Sequence, residues 1–319
     1  MEPWKHLYHS IEHLDESLDR LTQKKIELDG FRPIPPIVIK SIKETLTLEW
    51  TYNSNSIEGN TLTLQETKMV IEEGFTIKGK SLREHFEAVN HQEAIEYIES
   101  LVESDYTLKE RDILQAHYLV LQKIEKDFAG RYRTGGVRIS GANFIPPNAL
   151  KVAELMTELI QWVHEETEKL HPIVMASVFH HRFVHIHPFF DGNGRTVRLL
   201  FNLLLMKAGY PPAIILKNDR KKYYDALNKA NEGDYGKLIL LVMQAAERSL
   251  NIYLNALNNT DDYQPITDLI QEPGSRYGQE YISLLARTGK IDAYKEGRVW
   301  YTSEKAIQEY LESRKRKRK

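Results

Sequence analysis

The amino-acid sequence predicts a mainly α-helical protein with one short β-hairpin flap and a small C-terminal domain of winged helix-turn-helix type. Three observations predict it. Apolar residues recur at helical spacing through most of the 319 residues. Gly135–Pro147 breaks that rhythm with alternating Val137 and Ile139, flanking glycines and a closing Pro146-Pro147 pair. Beyond the polar stretch Asn258–Pro265, a compact segment with its own pattern begins.

Taken in order, Leu14, Leu18, Leu21, Ile26 and Leu28 mark a first helix that Gly30 and the Pro33–Pro36 stretch end. A second helix is predicted from Val38 towards Tyr52, and a turn within the polar, Gly-containing Asn53–Asn60. Amphipathic spacing predicts helices over Leu64–Glu73, Leu82–Ser104 and Leu108–Ile124. After the flap it returns over Ala149–Glu168, Ile173–Ile186, Thr196–Ala208, Arg220–Asn231 and Tyr235–Ala256. In the last segment Ile282, Leu284 and Leu285 lead to Gly289. Strands around Ile291–Tyr294 and Val299–Tyr301 join through Glu296-Gly297, and a helix runs from Thr302 to Tyr310. The expected division is an N-terminal helical region over 1–110, a core over 111–258 and the C-terminal domain over 265–319.

Composition excludes several function classes. No cysteine is present, so there is no disulfide framework, thiolate metal site or Cys nucleophile. With 43 Lys+Arg against 45 Asp+Glu, the chain does not coat nucleic acid by bulk charge. No basic-then-apolar leader or 18-residue apolar run is found, which predicts a cytoplasmic protein without a membrane span. From Pro265 onward 12 Lys+Arg face 8 Asp+Glu. Without the six basic residues Arg314–Lys319 the count is 6 against 8, so the positive charge belongs to the tail.

Three segments carry candidate chemistry. Gly74–Ser81 matches the phosphate-binding pattern G-x-x-x-x-G-K-S. That pattern requires a buried strand before it, and the preceding residues read as charged helix, so a Gly-punctuated loop before a helix capped by Ser81 is predicted instead. His180, His181, His185 and His187 cluster, and His181 and His185 stand four apart on a helix. A zinc site needs a further ligand, and none is near before Asp191, so structural roles are favoured. The third segment is His187-Pro188-Phe189-Phe190-Asp191-Gly192-Asn193-Gly194-Arg195-Thr196-Val197-Arg198. Its glycines let backbone N–H groups approach an anion at a helix N-terminus. Asp191 offers a hard oxygen for Mg²⁺. Arg195 and Arg198, a turn apart, can clamp a polyphosphate, and His187 is expected to titrate near neutrality and take a proton.

This segment resembles the signature of the Fic family, H-P-F-x-[DE]-G-N-G-R-x-x-R, at every specified position. The resemblance implies a helical enzyme that transfers AMP from ATP to a Ser, Thr or Tyr hydroxyl of a target protein, and of itself, releasing pyrophosphate. By that resemblance His187 is the general base and Asp191 holds Mg²⁺. Gly192, Asn193 and Gly194 form the anion hole, with Arg195, Thr196, Val197 and Arg198 completing the nucleotide site. Tyr223, Tyr224 and Asn231 fall where relatives contact base and ribose. Ser140, Gly141, Ala142 and Asn143 fall in the flap that lays the target beside the site. The likeness extends over about residues 35 to 258. A glycine at 194, where phosphotransferring relatives carry lysine, disfavours their chemistry.

Ser54-Asn55-Ser56-Ile57-Glu58-Gly59 resembles the family's inhibitory motif [ST]-x-x-x-E-[GN]. The resemblance implies that Glu58 pairs with Arg198 and keeps ATP out of an in-line pose, with Ser54 and Gly59 completing the motif. In some relatives this glutamate also supports removal of AMP, which stays open here. The C-terminal domain, with Lys290, Lys295 and Arg298 around its wing, leaves DNA and protein docking open, and dimerising relatives leave a homodimer open. A competing reading is a DNA-binding regulator whose core only senses ATP.

Overall fold

The computed structural model describes residues 12–102, 107–139, 141, 144–258, 263–271 and 278–317. Local rules place the ends of the first helices. After α1 (Asp15–Gly30), a proline in the first turn starts α2 (Pro36–Ile57), where a missing N–H costs nothing. α2 does not stop at Tyr52 as the sequence predicts. Its last turn runs through Asn53–Ile57, because Asn53 and Asn55 return their side-chain amides to carbonyls four residues back, and the turn comes at Glu58-Gly59. α3 (Leu64–Glu73) opens on a reciprocal cap between Thr63 and Glu66 and closes on Gly74 at φ 69°. Gly74–Ser81 is therefore a helix-to-helix connection with no strand before it. α4 (Leu82–Val102), α5 (Glu110–Leu121) and α6 (Val152–Glu166) follow.

α7 (Pro172–Ile186) and α8 (Asn193–Lys207) pack on each other and make the centre. α7 buries Val174, Ala176, Val178 and Phe179, and α8 buries Leu199, Leu200, Phe201 and Leu203. Helices apolar around their circumference belong inside. α4 and α5 cover one side of the pair, and α2 lies across α4. α9 (Arg220–Asn231) and α10 (Gly236–Asn258) cover the other side, and α1 lies on α10. No helix of the described residues is long and apolar enough to cross a membrane.

The sequence predicts the flap as a short hairpin or an extended segment. Among its described residues no strand ladder forms. Pro146 and Pro147 have no N–H to donate, and buried Arg133 ties both ends instead, donating to the carbonyls of Gly135 (2.9 Å) and Pro147 (2.5 Å).

The C-terminal unit comprises β1 (Gln264–Pro265), α11 (Ile266–Gln271), α12 (Gln279–Arg287), β2 (Ala293–Glu296), β3 (Val299–Thr302) and α13 (Glu304–Lys317). Its strands are antiparallel in the order β1-β3-β2, with Tyr294 opposite Tyr301. Ile266, Ile282, Leu285 and Ile291 form its own small core. The basic tail begins within α13, and Arg318 and Lys319 lie outside the described residues.

Candidate active site

His187 ends α7 at φ 51° and ψ 62°, a left-handed conformation that turns the chain into the loop 188–192. Arg133 holds this turn, donating from Nε to the His187 carbonyl (2.7 Å) and from Nη2 to that of Ile186 (3.3 Å). Its own N–H donates to the Pro188 carbonyl (2.9 Å). Burial pushes the His187 imidazole down to about 4, with the Val184 carbonyl opposing it. Against the expected titration near neutrality, His187 is neutral at pH 7.

The loop is braced from within and below. The Asn193 side chain accepts from the Phe189 N–H (2.9 Å) and donates to the Phe189 carbonyl (2.8 Å). Phe189 stacks on His117 of α5, centroids 3.5 Å apart. His117 Nδ1 accepts from the Gly130 N–H (2.9 Å), so Nε2–H donates to the Asp191 carbonyl (3.0 Å). A side chain at Gly192 (φ 75°) would press against that imidazole. The Asp191 carboxylate accepts from the Gly192 N–H (2.6 Å) and from Arg83 Nη2 (2.7 Å), with Arg195 at 3.3 Å. Burial opposes ionisation, but Arg195, the Gly192 N–H and Arg83 together hold Asp191 below the usual carboxylate range.

Arg195 is buried and meets Glu87 at 3.1 Å. Arg198, also buried, donates to the Ser54 hydroxyl (3.0 Å), the Ser54 carbonyl (2.8 Å) and Glu58 Oε1 (2.7 Å). A Cβ at Gly194 would collide with the Glu58 carboxylate, so the carboxylate sits against the first turn of α8. That is where a helix N-terminus and two arginines favour an anion. Glu58, His187, Asn193 and Gly194 line a cavity of about 570 Å³ together with Tyr223, Tyr224 and Asn231.

A profile of the Fic/DOC family matches residues 107–205. The Protein adenylyltransferase Fic of Culex quinquefasciatus is 36% identical over 302 residues, covering 91% of this chain and 59% of that protein. The Drosophila melanogaster protein of the same name is 38% identical over 295 residues, covering 90% and 58%. A solved structure of Fic-1 from C. elegans superposes with a TM-score of 0.69 at 32% identity, covering 79% of this chain and 74% of that one. The chain belongs to the Fic/DOC family. It spans a little under three-fifths of the length of these curated relatives.

Within this Fic fold the residues singled out in the sequence do not all share one place. Val197 joins the hydrophobic core rather than the cavity, because α8 turns that face towards the centre of the fold. Thr196 is buried one turn into the helix, its N–H on the Gly192 carbonyl. Gly59 (φ 107°) supplies the turn behind Glu58. In the flap Gly141 lines the cavity, while Ser140, Ala142 and Asn143 lie outside the described residues. The histidine cluster splits. His181 bonds Tyr235 OH (2.8 Å) and Asn231 Oδ1 (2.9 Å), and His180 bonds Tyr223 OH (3.2 Å). Among the described residues no three His, Asp or Glu side chains gather as a metal site. The sequence reading missed His117, Arg133 and Arg83, which reach the loop from distant elements, and Glu87, which meets Arg195. It also missed Phe144, which stacks on His185 at 4.4 Å.

Proposed function

We propose that this Fic chain is an autoinhibited protein adenylyltransferase, moving AMP from ATP to a Ser, Thr or Tyr hydroxyl of a target protein and of itself. The observation that carries the reading is the Glu58 carboxylate on Arg198 and the first turn of α8, beside His187. A carboxylate there occupies the place of a phosphate. In the reaction His187 takes the hydroxyl proton, the oxygen bonds to the α-phosphorus, and the bond to the bridging oxygen breaks to release pyrophosphate. The α8 N-terminus, Arg195 and Arg198 stabilise the charge on the phosphates. Tyr223, Tyr224 and Asn231 receive the nucleoside. The name of the relatives, protein adenylyltransferase, supports transfer of an adenylyl group to a protein.

Asp191 fits a hard divalent cation such as Mg²⁺, because one half-exposed carboxylate at the loop tip is the donor set such an ion shares with substrate phosphates. When bound, that ion supplies charge neutralisation at the phosphates. Asp191 would hold that ion with the carboxylate that here accepts from Arg83.

Geometry supports the inhibitory assignment. While Glu58 holds Arg198, the arginine is withheld from a γ-phosphate and the carboxylate repels it. The test is incubation of the wild type, Glu58→Gly and His187→Ala with Mg²⁺ and α-labelled ATP, read by intact mass. Glu58→Gly is expected to gain the mass of AMP at a rate far above wild type. His187→Ala in the Glu58→Gly background is expected to lose about 10²–10⁴-fold, the usual worth of a general base. Unlabelled Glu58→Gly protein that still binds ATP would overturn the transferase reading in favour of a sensor.

A further inference from the structure

The inhibitory helix is held at two ends of its last two turns, and only one of them is the active site. Glu58 and Ser54 meet Arg198 there. On the other side, residues 217–222 at the start of α9 grip the same stretch. The Lys217 N–H donates to Asn53 Oδ1 (2.9 Å), and its ammonium lies 5.0 Å over the Tyr52 ring. Arg220 Nε donates to the Ile57 carbonyl (2.7 Å), the last carbonyl of α2 before Glu58. A helix C-terminus leaves such carbonyls without helical partners, so this bond fixes where the final turn points.

Residues 217–222 are in turn seated on the C-terminal unit. Lys295 of β2 donates to Asp219 Oδ1 (2.6 Å), and both side chains are largely buried. Lys222 lies 5.9 Å from the Trp300 ring of β3 and 3.2 Å from Asp219. Asp219, Arg248, Lys295 and Trp300 share the lining of one small pocket of about 30 Å³. The same hairpin approaches α2 by a second route. Buried Arg248 of α10 makes a two-pronged pair with Glu49 of α2 (2.7 and 3.1 Å) and has Glu296 at 3.8 Å. The C-terminal unit is anchored independently on α1, where the Gly289 carbonyl accepts from Ser17 Oγ (2.7 Å) and Arg20 (3.1 Å). A hairpin braced from behind can hold the loop in front of it.

We infer that the C-terminal hairpin is a lock on the inhibitory helix: Lys295 and Trp300 are positioning residues that hold residues 217–222 and, through Asn53 and Ile57, keep Glu58 seated on Arg198. The inference rests on the inhibitory reading of Glu58. It gives the C-terminal unit a role in which Lys295 faces inward to the core rather than outward to a nucleic acid. A partner that draws the hairpin away would thereby raise transfer.

The test uses the full chain carrying Lys295→Ala, Trp300→Ala or Lys295→Arg. Amide hydrogen exchange is followed over residues 49–58, with α7 and α8 as internal reference. Both alanine variants are expected to exchange at least about tenfold faster over 49–58, with α7 and α8 unchanged and Lys295→Arg close to wild type. Self-labelling from ATP is expected to rise severalfold in the alanine variants, yet not to rise further when they are combined with Glu58→Gly. Unchanged exchange over 49–58 in both alanine variants overturns the lock. So does acceleration spread equally through α7 and α8, which would mean general loosening. Failure of the transferase reading shows separately, as unlabelled Glu58→Gly protein, and the exchange result then still decides whether the hairpin holds the helix.

Discussion

Two loops lie beside the cavity, and they are held in different ways. The loop 188–192 is tied at nearly every residue: Pro188 to Arg133, Phe189 to Asn193 and His117, Asp191 to His117, Arg83 and Arg195. The described residues of 135–147 are tied mainly at their ends, by Arg133, with Gly141 reached at 3.4 Å by Asn228. The contrast teaches where rigidity is needed. Transfer between phosphate and hydroxyl depends on placement of charge within fractions of an ångström. A segment that, on the proposed function, receives different main chains gains from keeping its own backbone groups uncommitted.

The rigid side has a cost in acid, and this is the largest effect expected. Burial keeps His117 and His187 down to about 4 and His91, behind α2, to about 3. In the unfolded chain each titrates near 6.5. From about pH 6.5 down to 4 the unfolded state therefore binds more protons, and stability that is complete above pH 6.5 is lost as pH falls. Each of these histidines removes about 2 kcal/mol between pH 7 and 5. Urea unfolding at pH 7, 6 and 5 checks this, and a midpoint that stays level across that range contradicts it.

Among the described residues Arg133 bonds both loops, so Arg133→Ala should blur the contrast. It strands carbonyls of Gly135, Pro147 and His187 in part-buried places and that of Ile186 in a buried one. A loss of about 4 kcal/mol is expected, at the upper end for a broken buried network. Transfer in the Glu58→Gly background should fall about 100-fold as His187 loses its turn. Denaturant unfolding and single-turnover labelling read the two separately. A stability loss with full transfer would mean that the loop holds His187 without help.

How much of this was legible depended on distance along the chain. The helices were readable because caps and periodicity are local, as in Thr63 with Glu66 and Gly74. The segment 187–198 was readable because its chemistry is contiguous. Arg133 and His117 were invisible, since a lone arginine beside a glycine-rich stretch and a histidine on an amphipathic helix carry no local signal. The extension of α2 to Ile57 was misread because asparagine and serine favour turns, and here their side chains bond the helix's own carbonyls and Arg198 instead.

His117→Phe sharpens the comparison on the rigid side alone. It keeps a ring to stack on Phe189 but leaves the Gly130 N–H and the Asp191 carbonyl without their partner. A cost of about 2 kcal/mol follows for the stranded groups. Transfer should fall about tenfold in turnover, with nucleotide affinity nearly unchanged, because the ring supports the loop and does not line the cavity.

Phe144→Ala is the matching change in the flap, and the smallest expected effect. Phe144 stacks on His185 with rings 8° apart and walls one side of the cavity. Removing it deletes a stacking contact of about 0.5–1.5 kcal/mol without touching the braces of the loop 188–192. Affinity for a fluorescent ATP analogue should therefore weaken by about two- to tenfold, while turnover at saturating ATP stays level. Fluorescence titration beside labelling kinetics decides it. If turnover falls and affinity holds, the flap shares in positioning the reacting groups, and the division between a fixed loop and an adaptable one does not stand.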